Sequence, residues 1–412
     1  IYRSIENTQL LMTSLGRSYR QLLLAATVSR CGDGVFLSTL PLLALSITAS
    51  PLAVAAVQFS LTLPWLLFGL VSGALADRWD RRAIMWRTDV CRFAITTALV
   101  ITITAGALSI PVLAGFGFAL GITETLFDSA ALSILPMLVG TEPRQLTRAN
   151  AGLDASGGVA AGFVGPAAGA ALYAVARLVP AVANAISFIA SAALLRTLPR
   201  QPPRRDDRRG SLRSDIREGM RWLGAQPLLR RLAVAVGVIN LATTAGTTVL
   251  VLYLRQTVSA GVISYAVVLI CAATGGLIAN IIVQRRPATL ERRCAMPLAV
   301  ALIATGLVAA GATPHTAVTA VAYAVIGLAG AAWNVATVSA RQRLVPPDIL
   351  GRVNSAYRLI AFGTIPLGAL AGGTIAHRWG LRAPFLAGGA LLALTAAALH
   401  KRQAGERGGK TC

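Results

Sequence analysis

The apolar residues of this chain come in a series of blocks, each about 20 to 28 residues long and nearly free of charge. A helix of that length rises about 30 Å, the thickness of a bilayer's hydrocarbon core. Backbone polar groups in that medium must be satisfied within the segment, so each block is expected to be a helix. One such block also fits the core of a large soluble protein; a dozen in series do not. Composition agrees. Of the 412 residues, 55% are hydrophobic and only 13% are charged, against about 25% charged in a soluble domain.

Twelve spans are expected, at about 20–48, 52–76, 88–108, 111–138, 149–175, 180–198, 232–256, 261–283, 295–313, 317–340, 353–376 and 383–400. The predicted fold class is therefore an all-α membrane protein of two six-helix bundles, residues 20–198 and 232–400. Residues 1–19 and 401–412 are expected as tails, and 199–231 as an Arg-rich linker with an amphipathic stretch around Ile216 to Leu223.

The net charge of +22 raises the question of nucleic acid. Distribution answers it. Among 38 basic residues only Lys401 and Lys410 are lysines. The arginines crowd the even-to-odd connections and the linker, without interleaved aromatics or a soluble module to hold a duplex. The positive-inside rule accounts for this asymmetry and places both termini and the linker in the cytoplasm of a plasma-membrane protein. No P-loop or nucleophile elbow is visible, and the five cysteines show no CxxC spacing. No enzyme activity, cofactor or metal is expected. The expected partners are a small molecule, protons and the bilayer, with the chain acting as a monomer.

Four acids fall well inside spans: Asp33 in span 1, Glu124 and Asp128 in span 4, and Asp154 in span 5. A charge at the bilayer centre costs at least about 2.5–3.5 kcal/mol, so each needs a partner, a proton or water. Arg30 precedes Asp33 by three residues on the same helical face and is expected to neutralise it. Glu124 and Asp128 lie four apart and share a face; two carboxylates that close repel, so one is expected to hold a proton. Asp89 is placed at the edge of span 3, near the headgroups. The second half offers only uncharged polar and aromatic groups in the corresponding spans: Asn240, Thr243 and Thr244 in span 7, Trp333 and Asn334 in span 10.

Three motifs carry a resemblance. Gly73-Ala-Leu-Ala-Asp77-Arg78-Trp-Asp-Arg81-Arg82, between spans 2 and 3, resembles the G-x-L-a-D-R-x-G-R-R loop of the major facilitator superfamily. Asp80 stands where that pattern has Gly, a form similar to the branch of bacterial siderophore and macrolide exporters. Gly165-Pro166-Ala-Ala-Gly169-Ala170 resembles the superfamily's antiporter motif, with Ala170 replacing its last glycine. Arg148-Ala-Asn150 opens span 5 much as Arg352-Val-Asn354 opens span 11. Aligned without gaps from these arginines, Gly169 matches Gly373.

The resemblance implies two parallel repeats rocking about a midplane site, with spans 1, 4, 7 and 10 lining a central cavity. It implies that Asp77 latches onto the start of span 11, helped by Arg352 or Arg358, while Arg78, Arg81 and Arg82 hold the loop inside. Asp154 and Arg358, equivalent in the repeat, are expected as gate charges. Asp33, Glu124, Asp128 and Arg30 are expected to couple protons, and the uncharged residues of spans 7 and 10 to face the cargo. The arginine that drug antiporters carry in span 4 is absent. The expected function is a proton-coupled antiporter exporting a small amphipathic compound such as an antibiotic, siderophore or other secondary metabolite. A nutrient importer on the same fold is the alternative, and a non-transporting receptor a weaker one.

Overall fold

The computed structural model describes residues 16–140, 142–199, 212–285, 294–346 and 349–405. Among them every regular element is a helix. The first half holds α1 (Arg17–Ile47), α2 (Pro51–Arg78), α3 (Arg81–Thr104), α4 (Ile110–Val139), α5 (Pro143–Val159), α6 (Gly165–Val175) and α7 (Val179–Arg196). A π-helical turn, Ala160–Val164, joins α5 to α6. Next come α8 (Leu212–Ala225), α9 (Pro227–Gln256), α10 (Val262–Arg285), α11 (Ala295–Ala312), α12 (Thr316–Leu344), α13 (Leu350–Trp379) and α14 (Ala383–Gly405).

Eleven helices among the described residues are long and apolar enough to cross a membrane. The twelfth span is α3, which fails that measure because Arg87, Asp89 and Arg92 all lie within it. Expected to begin near residue 88, α3 begins at Arg81. The cause is Asp80: its carboxylate accepts the backbone N–H of Arg82 at 3.0 Å and caps the helix. A glycine there has no such acceptor. The earlier start carries Asp89 two turns into the helix, where it is wholly buried. The expected headgroup position of Asp89 is thereby corrected.

Span 5 is not a uniform helix. Pro166 has no N–H, and its ring would collide with the carbonyl four residues back, at Gly162. The chain widens by one residue instead, and the Gly165 N–H donates to Ala160 O. Beyond this turn the glycines meet α1. A Cβ on Gly165 would lie 2.5 Å from the Gly34 Cα, and one on Gly169 2.7 Å from the Val35 carbonyl oxygen. The second half repeats this crossing. A Cβ on Gly368 would lie 2.5 Å from the Leu241 carbonyl oxygen, and one on Gly372 would collide with that of Ala245. Packing thus pairs Gly165 with Gly368 and Gly169 with Gly372. The ungapped match of Gly169 to Gly373 is one residue out because the π turn inserts a residue into one repeat only. Gly373 faces Ala55 and Pro51 of α2 instead.

Two compact units result, residues 1–40 with 67–209, and 41–66 with 210–412. In the first, α3 packs on α4 and α7. Its core gathers Leu22, Met85, Phe127, Ile134 and Leu195, and the Tyr19 hydroxyl donates to Ala149 O at 3.0 Å. In the second, α9 packs on α13 and α14, α10 on α12, and α11 on α12 and α14. The α1–α2 hairpin tip belongs to this unit, with Trp65 stacked on Phe362 at 5.2 Å.

Candidate functional site

The packing repeat aligns Gly34 with Leu241 and Ser38 with Ala245, because each pair meets equivalent glycines. Carried one residue back, it sets Asp33 of α1 against Asn240 of α9. The two units therefore hold an acid and an amide at the same point of the fold. Asn240 is satisfied within its unit, donating through Nδ2 to Ala361 O of α13 at 2.7 Å. Asp33 meets a charged network.

The structure pairs those charges differently from the expected Arg30–Asp33 couple. Arg30 reaches across to α4, with Nη2 at 3.1 Å from Asp128 Oδ1. Gly157 of α5 makes room, since a Cβ there would collide with the Arg30 guanidinium. The ion pair of Asp33 is with Arg92 of α3, at 3.5 Å, and Arg92 also lies 3.6 Å from Asp89. Ser29 links the two, its Oγ 3.3 Å from Arg92 Nη1 and 3.4 Å from Asp89 Oδ1. Glu124 joins through its electrostatic interaction with Arg92. Phe127 and Phe188 stack on the Arg92 guanidinium at 5.0 and 5.2 Å.

Two guanidiniums, Arg30 and Arg92, thus face the carboxyls of Asp33, Asp89, Glu124 and Asp128. In a poorly hydrated interior an uncompensated carboxylate is costly. Access is graded: the side chains of Asp33 and Asp128 are 21% and 24% exposed, while Asp89 is 0% exposed.

Arg92 is the charged residue of this network that the sequence reading missed. Its signal was present as Asp89-x-x-Arg92, an i,i+3 acid–base pair, and the late placement of the helix start concealed it.

Of the polar residues expected in the second unit, Asn240 and Trp333 meet α13. Thr243 bonds its own helix at Ile239 O, 2.7 Å away. Thr244 is half-buried and Asn334 exposed. Trp333 is buried beside Tyr357, one turn before Ala361. This wall also holds a charge, because buried Arg341 stacks on the Tyr357 ring at 3.7 Å and its Nε donates to Asn354 Oδ1 at 3.0 Å.

Of the residues expected to gate, Arg82 donates to the terminal carbonyls of α7, Leu195 O at 3.3 Å and Arg196 O. Arg81 is buried at the start of α3. Arg358 lies over Phe362 at 5.5 Å. Arg352 pairs with Glu218 of α8 at 2.8 Å, and Gly219 lets α8 press against the Arg352 carbonyl. Gly165, Pro166 and Gly169 form the α1 crossing described above. Gly73, Asp77, Arg78 and Asp154 lie outside the residues whose side chains are described.

Serial membrane-length helices in two bundles, with charges gathered inside one of them, define a multi-pass membrane protein. The sequence profile of transmembrane secretion effectors matches residues 15–407, and the chain belongs to that family of the major facilitator superfamily. It is a transporter and not an enzyme. An MFS-type transporter of Sinorhizobium fredii is 28% identical over 366 residues, covering 86% of this chain and 87% of that one. One of Mycobacterium tuberculosis is 35% identical over 149 residues, 35% of this chain, and the match spans 33% of the relative. The fold matches the crystal structure of a bacterial homologue of the human lysosomal transporter Spinster, inward-facing and unoccupied, with a TM-score of 0.71. That similarity has 17% identity and covers 94% of this chain and 96% of the other.

Proposed function

We propose that this chain is a proton-coupled exporter, moving a small amphipathic organic compound out of the cell by alternating access in exchange for protons. In this reading it sits in the plasma membrane as a monomer with both termini in the cytoplasm. The observation that carries it is the charge network of the first unit, where Asp33 and Asp128 combine partial exposure with arginine partners. A proton entering from outside neutralises a carboxyl there and releases its arginine; a proton leaving inside restores the pair. The amide of Asn240, at the equivalent point of the second unit, cannot titrate, so coupling belongs to one bundle and cargo recognition to the other. Export is supported by the antiporter-like motif of span 5 and by the family's description as secretion effectors.

The test uses the full chain in proteoliposomes under an imposed pH gradient, with a panel of macrolides and siderophores. Movement of at least one compound against the proton flow is expected. Asp33→Asn and the Glu124→Gln/Asp128→Asn double variant should lose gradient-driven transport while keeping equilibrium exchange. Uphill transport untouched in both would sink the reading, and co-movement with protons would make the chain an importer.

A further inference from the structure

One nitrogen of a buried arginine stands between two carboxylates. Arg92 Nη1 is 3.5 Å from Asp33 Oδ2 on α1, 3.6 Å from Asp89 Oδ1 on its own helix and 3.3 Å from Ser29 Oγ. A guanidinium held by one carboxylate closes to about 2.7–2.9 Å. All three contacts are longer, so Arg92 is shared and committed to neither acid. It also cannot leave. It is 2% exposed, with Phe127 on one side and Phe188 on the other. A tilt of under an ångström is enough to settle it on either acid.

The two acids differ in access. Asp89 is sealed, whereas the Asp33 side chain is 21% exposed. The other groups around Asp33 are accounted for. Its own helix supplies Arg30, which is drawn to Asp128; α4 supplies Asp128 and Glu124. α7 contributes the uncharged Asn184 and Ser187, packed against Gly32.

We propose that Asp89 and Arg92 form a charge balance on α3 that sets how readily Asp33 takes up a proton and converts that uptake into a change in the α1–α3 contact. The inference rests on the proton-coupled reading above. When Asp33 is ionised, Arg92 is divided between two acids and ties α1 to α3. When an O–H bond forms at the Asp33 carboxylate, its hold on Arg92 lapses. The guanidinium then closes on Asp89, and the tie between the helices loosens. Loss of the proton to water on the other side reverses both changes. Asp89 works by competing for Arg92, which makes it a positioning residue.

The experiment is an infrared pH titration of the reconstituted full chain, with protons as the only ligand and the carboxylic C=O band as the readout. Asp33→Asn should remove a titrating band and so assign it. In Asp89→Asn the competitor is gone, Arg92 turns wholly to Asp33, and the midpoint of that band should fall by about one pH unit, a tenfold change in proton affinity. Arg92→Gln should move it the opposite way. If Asp89→Asn does not fold, Asp89→Ser serves, because it too removes the competing charge and the midpoint should fall. An Asp33 band whose midpoint ignores these substitutions overturns the charge balance and leaves proton coupling standing. A wild-type protein without any titrating carboxyl band overturns both.

Discussion

Asp80 shows how much a single residue can redirect. As the cap of α3 it starts that helix early, and the early start brings Asp89 and Arg92 inside to meet Asp33. Replacing Asp80 with Ala should cost about 1 kcal/mol, the usual value of an N-cap. A lower Tm in detergent and faster hydrogen exchange confined to the first turn of α3 would show it; unchanged exchange at Arg82 to Met85 would refute the cap. The acids Asp33, Glu124 and Asp128 were legible because a charge inside an apolar run is conspicuous. Their partners were not legible, because which arginine faces which acid depends on the rotation of α1, α3 and α4 about one another.

The span 5 crossing belongs to the scale of elements. If the π turn is a one-residue insertion, deleting Gly162 removes it and keeps Gly165 and Gly169 facing α1, with the helix kinked at Pro166. Deleting a residue inside Gly165–Val175 rotates whatever follows by about 100° and turns it off its contacts. The first deletion should therefore leave a folded protein and the second should not, as judged by monodisperse elution and Tm. Substituting Val for Gly165 should destabilise by about 1–3 kcal/mol, because the backbone of Gly34 occupies the space. The linker helix α8 offers a contrast. Glu218 and Arg352 are 54% and 41% exposed, so Glu218→Gln should change stability by less than about 1 kcal/mol. Gly219→Val should lift α8 from α13, because the Arg352 carbonyl blocks the added side chain; exchange of α8 amides distinguishes the two. The amphipathic stretch at Ile216 to Leu223 announced that this helix exists, though nothing in it named α13 as the surface it covers.

For the whole molecule, the two halves share one plan and differ in charge. Equivalent glycines set equivalent crossings, α1 with α6 and α9 with α13, and the same superposition sets Asp33 against Asn240. The difference predicts an asymmetric swap. Asn240→Asp should place a second titratable group in the second unit and steepen the pH dependence of transport in proteoliposomes. A pH profile identical to wild type would mean that Asn240 has no part in the transport path.

Serial apolar blocks, the arginines between them and a few short motifs were enough to determine an all-α membrane transporter built from two related bundles. These features act locally: a membrane-length segment must satisfy its own backbone, and a charge declares itself by its cost in hydrocarbon. Tertiary structure alone decided that Arg30 serves Asp128, that Arg92 stands between Asp33 and Asp89, and that a π turn shifts one repeat by a residue. Those outcomes depend on where helices begin and how they rotate against each other. A one-residue change turns a side chain by about 100° around its axis, and only packing fixes that angle.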